Sequence, residues 1–276
     1  MLRASARCAC QRFVIGGVVC RCGARMHAVI LKKRIFVLLL AVAVAVLFNA
    51  LPLQAEELTI LAFGDSITQG FKRDALGNIW GITSPPHGAR VGGYEPYLEW
   101  IFVHDARSRG DTAIVRNWGY GGERTQTGVG RLRYILAGSS GVYDYCLIME
   151  GANDLYAGVS PASTAFNLGL MVDNCRAAGV TPIMATITKN WNIAAGDLIP
   201  QIYNPAVVAK AKEKNVLLAD QYAMTQRYWY EVFTGDHLHL NELGDLRMAE
   251  VWFDTLVQDS RFQRKVPVGA YLLLLR

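Results

Sequence analysis

The chain has 276 residues, 52% of them hydrophobic, with 28 Lys and Arg against 23 Asp and Glu, a net charge of +5. That is enough for one sizeable domain with a full core, and too apolar and free of short repeats for a collagen-like, coiled-coil or disordered chain. The basic excess lies wholly before residue 56, where eight Lys and Arg face no acid; the remainder carries 20 bases against 23 acids, which excludes the basic surface a nucleic-acid binder needs.

In chain order, Lys32-Lys33-Arg34 precedes fourteen apolar residues, Ile35 to Phe48, followed by Asn49 to Ala55 and the acidic pair Glu56-Glu57. Basic, apolar and small-residue regions in that order form a secretory signal, and the apolar run is shorter than the roughly 20 residues of a spanning helix. Cleavage is expected after Ala55, placing the protein in the periplasm or outside the cell; the alternative is an uncleaved inner-membrane anchor. A signal of this kind begins close to its basic end, so Met26 stands as an alternative start and residues 1–25, with Cys8, Cys10, Cys20 and Cys22, are assigned no function. Residues 1–55 are therefore read as extension and signal, and 56–276 as one domain. Its two cysteines, Cys146 and Cys175, are expected as buried thiols.

Five apolar segments read as strands: Leu58–Phe63, Thr112–Asn117, Tyr143–Glu150, Thr181–Ile187 and Val216–Ala219. Most are nearly continuous apolar runs, the mark of strands covered on both faces. Helical stretches fall between them at Tyr94–Arg107, Arg124–Leu136, Ser163–Ala178 and Tyr203–Lys214, and a last one runs from Asn241 to Gln258. This alternation predicts a three-layer α/β fold on a five-stranded parallel sheet. Two connections, Gln69–Gly92 and Lys189–Gln201, are long and read as irregular functional loops. The apolar tail Val266–Leu275 is expected to pack as a strand or surface segment.

Four short motifs stand at segment ends. Gly64-Asp65-Ser66 follows the first strand, where a serine in a strand-to-helix turn projects above the carboxyl edge of a parallel sheet. Asn117 to Thr125, with Gly119, Gly121 and Gly122, follows the second strand and lets backbone N–H groups approach a substrate oxygen. Gly151-Ala152-Asn153-Asp154 follows the third strand and offers a carboxamide donor. Asp236-His237-Leu238-His239 precedes the last helix, and its i, i+3 spacing lets Asp236 hold His239 as a base; His237 is the weaker candidate. Singly, each is also an ordinary helix cap, glycine turn or Asx turn.

Together, in this order, the motifs resemble the SGNH or GDSL hydrolase family over most of Leu58–Leu256. The resemblance implies a flavodoxin-like α/β/α fold and serine ester hydrolysis without a metal; no cofactor is expected. It implies Ser66 as nucleophile, His239 as base and Asp236 as its orienting acid, with the N–H groups of Ser66 and Gly122 and the Asn153 side chain as oxyanion hole. The glycine assignment, Gly122 rather than Gly121 or Gly119, comes from alignment of the motif. Asp65, Trp80, Trp118, Tyr120 and Trp191 are expected at the substrate mouth, with Tyr156 nearby. The expected substrates are small-molecule, glycan or lipid esters, through lysophospholipase- or lipase-like chemistry or carbohydrate O-acyl cleavage. Two other readings are a two-metal phosphoesterase built on Asp236, His237 and His239 with Asp65, Asn153 and Asp154, and a non-catalytic binding protein on the same scaffold. No Gly-x-Ser-x-Gly occurs, so the α/β-hydrolase nucleophile elbow is not available.

Overall fold

The computed structural model of the protein describes residues 55–72 and 92–262, besides the isolated positions 35 and 37. The segment read as an export signal (apart from positions 35 and 37), Trp80, the four N-terminal cysteines, most of the Gln69–Gly92 connection and the 266–275 tail lie outside the described residues. Residues 55–72 and 92–262 fall within one unit of the chain, Gln54–Lys265.

Five parallel strands, β1 (Glu57–Gly64), β2 (Thr112–Gly119), β3 (Tyr145–Met149), β4 (Thr181–Ala185) and β5 (Leu217–Ala219), form one sheet in the order β2-β1-β3-β4-β5. Among the described residues the helices are α1 (Ser66–Gln69), α2 (Glu95–His104), α3 (Thr125–Gly138), α4 (Ala152–Tyr156), α5 (Pro161–Ala177), α6 (Asn204–Glu213), α7 (Gln221–Arg227), α8 (Trp229–Val232) and α9 (Glu242–Leu256). Strand alternation separates two cores. Leu58, Ile60 and Ala62 of β1 face a cluster with Leu98 and Phe102 of α2 and Trp252 and Phe253 of α9. Leu61 and Phe63 face Leu132 of α3, Met171 of α5 and Val207 of α6. Side chains pointing to opposite faces at period two, each met by helices, produce the three layers. The outer strand β2 alternates between buried and half-buried residues.

The order β2-β1-β3 reverses the chain's direction of travel across the sheet at β1. Ligands bind at such a switch point, beyond the carboxyl ends of the strands, because the connections on either side leave for opposite faces and open a crevice. Ser66 follows β1 and Asn153 follows β3, so both stand at that crevice.

The elements differ from the sequence expectation mainly at their ends. The helix expected over Tyr94–Arg107 stops at His104, because Asp105 turns extended and its carboxylate takes the Arg107 N–H at 2.8 Å, starting a 3₁₀ turn. The strand expected to reach Ile187 ends at Ala185; the Ile187 N–H leaves the ladder for Asn204 Oδ1 at 2.8 Å. The Lys189–Gln201 connection is not irregular throughout: a 3₁₀ turn at Ala194–Asp197 and a π turn at Ile199–Tyr203 lead into α6. Helices α7 and α8 lie where no element was expected, α7 starting on the Asp220 carboxylate, which accepts the Ala223 N–H at 3.0 Å. Cys146 and Cys175 are buried, unbridged thiols.

Candidate active site

The turn carrying Ser66 is set by its neighbours. At Gly64 a Cβ would lie 2.1 Å from Thr68 Oγ1 and 2.5 Å from Met149 O, so a side chain there would push α1 off the sheet. Asp65 caps α1 through the Ile67 N–H at 2.9 Å, and Gly70, in the left-handed region, closes it. Ser66 Oγ thereby lies 2.9 Å from Nε2 of His239.

His239 is held from its other side. Asp236 Oδ2 meets His239 Nδ1 at 2.5 Å, while Asp236 Oδ1 accepts the Thr234 hydroxyl at 2.8 Å and the N–H groups of Leu238 at 3.0 Å and His239 at 2.9 Å. One carboxylate therefore fixes both the turn and the imidazole. Since an ionised carboxylate only accepts, the ring proton sits on Nδ1 and Nε2 is the acceptor for the serine O–H. Burial opposes ionisation of Asp236, but the imidazole and the two N–H groups outweigh it and hold the carboxyl well below the usual range. Phe71 packs on the imidazole, ring centroids 4.8 Å apart, and Lys72 Nζ donates to Leu240 O at 3.3 Å and pairs with Asp245 of α9. His237, by contrast, is exposed with a φ of 57°, and its carbonyl accepts the Trp191 N–H at 3.1 Å.

In the glycine turn after β2 the three N–H groups are engaged differently. Gly119 donates to Asn117 Oδ1 at 2.9 Å and Gly121 to Gln69 Oε1 at 3.0 Å. Gly122, with φ 79°, donates to no acceptor among the described residues and borders the cleft beside Ser66 and Asn153. Asn153 Nδ2 lies 3.4 Å from Asp65 Oδ2, which orients the carboxamide. Removing one preset donor to a developing oxyanion costs about 10²–10³ in turnover. Asn153→Ala is accordingly expected to lower kcat by about that factor with little change in KM; steady-state kinetics on 4-nitrophenyl acetate would check it, and an altered KM at unchanged kcat would contradict it.

The remaining expected residues divide. Tyr120 borders the cleft, 51% exposed. Asp65 does not: it is 2% exposed, its oxygens turned to Ile67 and Asn153, so it orients rather than touches a substrate. Trp118 does not either; β2 alternation turns its indole toward the core beneath α3, where Nε1 donates to Tyr143 at 2.9 Å. The Trp191 ring packs 4.9 Å from that of Trp229, outside the described lining. Tyr156 is in the lining, joined by Gln69, Phe71, Asn192 and Leu238, which sequence reasoning missed.

Also missed was Arg131 of α3. Its guanidinium lies 4.1 Å over the Phe63 ring, pairs with Glu123, and donates to Trp118 O at 2.8 Å and Gly64 O at 3.2 Å, tying the ends of β1 and β2 together beneath the site. Of the carboxylates in the two-metal reading, Asp236 is engaged by His239 and its own turn, and Asp154 is committed to threonines away from the cleft. Asp154 accepts the Thr125 N–H at 2.9 Å and the hydroxyls of Thr125 at 2.5 Å and Thr164 at 2.7 Å, and no group of three His, Cys, Asp or Glu among the described residues is arranged to hold a metal.

Burial of Asp65 raises its pKa from the ordinary 3.8 to about 6, against the lowering pull of the Ile67 N–H. A carboxyl whose folded pKa is raised binds more protons in the native state, so stability falls as pH rises between the two values, here from about 4 to about 6. The shift corresponds to about 3 kcal/mol. Asp65→Asn is expected to gain on the wild type by about that amount between pH 4 and pH 7 in urea unfolding; parallel pH profiles for the two proteins would refute it.

An ester-bond hydrolase on a flavodoxin-like sheet is the class that this fold and site define. The chain belongs to the GDSL-like Lipase/Acylhydrolase family, whose model matches residues 62–246. Among solved structures it is similar to Axe2, an acetylxylan esterase from Geobacillus stearothermophilus, at 19% identity and TM-score 0.56, covering 73% of this chain and 95% of that one. It is also similar to the lipase/acylhydrolase from Enterococcus faecalis, at 21% identity and TM-score 0.57, covering 73% and 96%. A third is the psychrotrophic esterase EstA from Pseudoalteromonas sp., at 18% identity and TM-score 0.55, covering 72% and 97%. At these identities the likeness speaks to the fold. No curated protein matches the sequence.

Proposed function

We propose that the chain is an exported serine hydrolase that cleaves carboxylic esters through an acyl-enzyme, acting on lipid esters or on O-acyl groups of carbohydrate. The observation that carries this reading is the relay from Ser66 Oγ through both ring nitrogens of His239 to Asp236, at 2.9 and 2.5 Å.

A serine hydroxyl is a weak nucleophile at neutral pH, and a base must take its proton as it attacks the acyl carbon. His239 Nε2 takes that proton, and Asp236 stabilises the imidazolium formed. The negative charge moves to the former carbonyl oxygen, which the N–H groups of Ser66 and Gly122 and the Asn153 carboxamide stabilise without having to reorganise. Collapse breaks the bond to the alcohol, which leaves with the proton from His239. Water then enters by the same base and oxyanion donors, releasing the acid and restoring Ser66.

Export is supported by the Lys32-Lys33-Arg34 start, the Ile35 to Phe48 run and Ala55 before Glu56. One experiment tests both parts: protein from the cell envelope is treated with a fluorophosphonate and examined by peptide mass spectrometry. A first residue of Glu56 and an adduct on the peptide containing Ser66 are expected. A retained apolar segment would turn the reading to a membrane anchor, and absence of the adduct from native protein would refute the serine mechanism.

A further inference from the structure

The cleft around Ser66 has a volume of about 630 Å³, and its described lining sets the amides of Gln69 and Asn192 and the rings of Tyr120 and Tyr156 against Phe71 and Leu238. A long acyl chain gains binding from each CH₂ it buries against hydrocarbon. Leu238 is the single aliphatic side chain in that lining. Half-exposed tyrosines and carboxamides instead suit a molecule with C–H faces and many hydroxyls.

One wall of the cleft is fastened in advance. Asn190, 4% exposed, donates Nδ2 to the Tyr156 oxygen at 3.2 Å, and its Oδ1 accepts the Asn192 N–H at 2.9 Å. On either side of Asn190, the Lys189 N–H goes to Thr225 Oγ1 at 2.9 Å and the Trp191 N–H to His237 O at 3.1 Å. Residues 189–192 are thereby tied to α7, to α4 and to the turn that carries Asp236 and His239. Because the phenol oxygen already accepts from Asn190, the Tyr156 O–H is left to donate into the cleft. The Asn192 side chain, exposed on the same wall, makes no hydrogen bond among the described residues. The Tyr156 phenol and the backbone of residues 189–192, held in this way, need little further ordering when a ligand arrives.

We propose that the wall formed by Tyr156 and Asn192 is a saccharide subsite, and that the substrates are sugars O-acylated with short acyl groups. The sugar ring lies along Tyr156, with hydroxyls paired to the phenol O–H and the Asn192 carboxamide, while the acyl carbon meets Ser66. Water is consumed, the acyl C–O bond breaks, and a short carboxylic acid and a free sugar hydroxyl are released. This assignment rests on the ester-hydrolase reading above and names its substrate class.

The test measures kcat/KM of the wild type, Asn192→Ala and Tyr156→Phe on acetylated cello-oligosaccharides, 4-nitrophenyl acetate and 4-nitrophenyl decanoate. The wild type is expected to prefer the sugar acetates to the decanoate by at least about tenfold. Each variant is expected to lower the ratio of sugar-acetate to 4-nitrophenyl-acetate kcat/KM by about fivefold to tenfold, chiefly through KM, the effect of one lost neutral hydrogen bond. Preference for the decanoate, or a ratio that neither variant moves, overturns the saccharide assignment. If Ser66→Ala cleaves 4-nitrophenyl acetate as fast as the wild type, or the wild type does not cleave it, the ester-hydrolase reading falls and this assignment with it. Cleavage through Ser66 with an unmoved ratio removes the saccharide assignment alone.

Discussion

Ser66→Ala is expected to lower kcat on 4-nitrophenyl acetate by about 10⁶-fold. The substitution removes one oxygen atom whose hydrogen-bond partner is His239 Nε2, and leaves the backbone N–H of residue 66 in place. Asp65 still caps α1 through Ile67, and Gly64 still allows the close packing of Thr68. The oxyanion donors therefore survive, and with them a residual acceleration of about 10³–10⁴ over water. An unchanged melting temperature together with the loss of turnover would assign the loss to chemistry. Activity above about one part in a hundred of wild type would place the nucleophile elsewhere, since water in the intact hole does not approach that rate.

The parts of the site legible in the sequence are those whose geometry is local. Gly64-Asp65-Ser66 is a strand end, a cap and an exposed hydroxyl within three residues, and Asp236 reaches His239 within one turn. Strand and helix periodicity likewise forecast the five strands and the parallel sheet, because burial on both faces leaves a pattern along the chain. Less legible was whatever depends on distant approach. Gln69 accepts from Gly121 fifty-two residues away, and Arg131 joins Gly64 to Trp118 from a third element. Neither residue differs in type from those on a solvated helix face. Trp118 was misplaced for a reason the sequence did contain: it alternates with the buried Asn117 and Gly119, so its ring leaves the sheet on the opposite side from theirs.

The proposed role of Gly122 rests on how the N–H groups of its turn are engaged. Three glycines stand in one turn, and any of their N–H groups could serve an oxyanion. Two are already committed to side-chain oxygens, of Asn117 and Gln69. Those bonds do more than remove candidates. Asn117 also donates to Thr68 O at 2.7 Å, so the residues that engage Gly119 and Gly121 both bind the turn to α1, which carries Ser66. The spacing between Ser66 and the Gly122 N–H is thus held by bonds that cross from β2 and its turn to α1, which is what the proposed oxyanion hole requires.

Asp236→Asn is expected to lower kcat by about 10⁴-fold with the fold intact, the loss typical when a base is left in the wrong tautomer. In the wild type the carboxylate compels the proton onto Nδ1, leaving Nε2 to accept from Ser66. An asparagine can keep its oxygen in the Oδ1 position, where it still accepts from Thr234, Leu238 and His239. Its NH₂ then faces Nδ1 as a donor, so the ring proton moves to Nε2, and the imidazole offers the serine a donor where an acceptor is needed. His237 cannot take over, because its left-handed backbone leaves it exposed while His239 meets Ser66. Asp236→Ala provides the contrast: it loses the imidazole contact and the three turn-fastening bonds together, so its melting temperature should fall as well. The discriminating measurement is kcat beside melting temperature for both variants. Loss of activity in Asp236→Asn with wild-type stability supports the tautomer argument, whereas near wild-type turnover would show that His239 needs no orienting carboxylate.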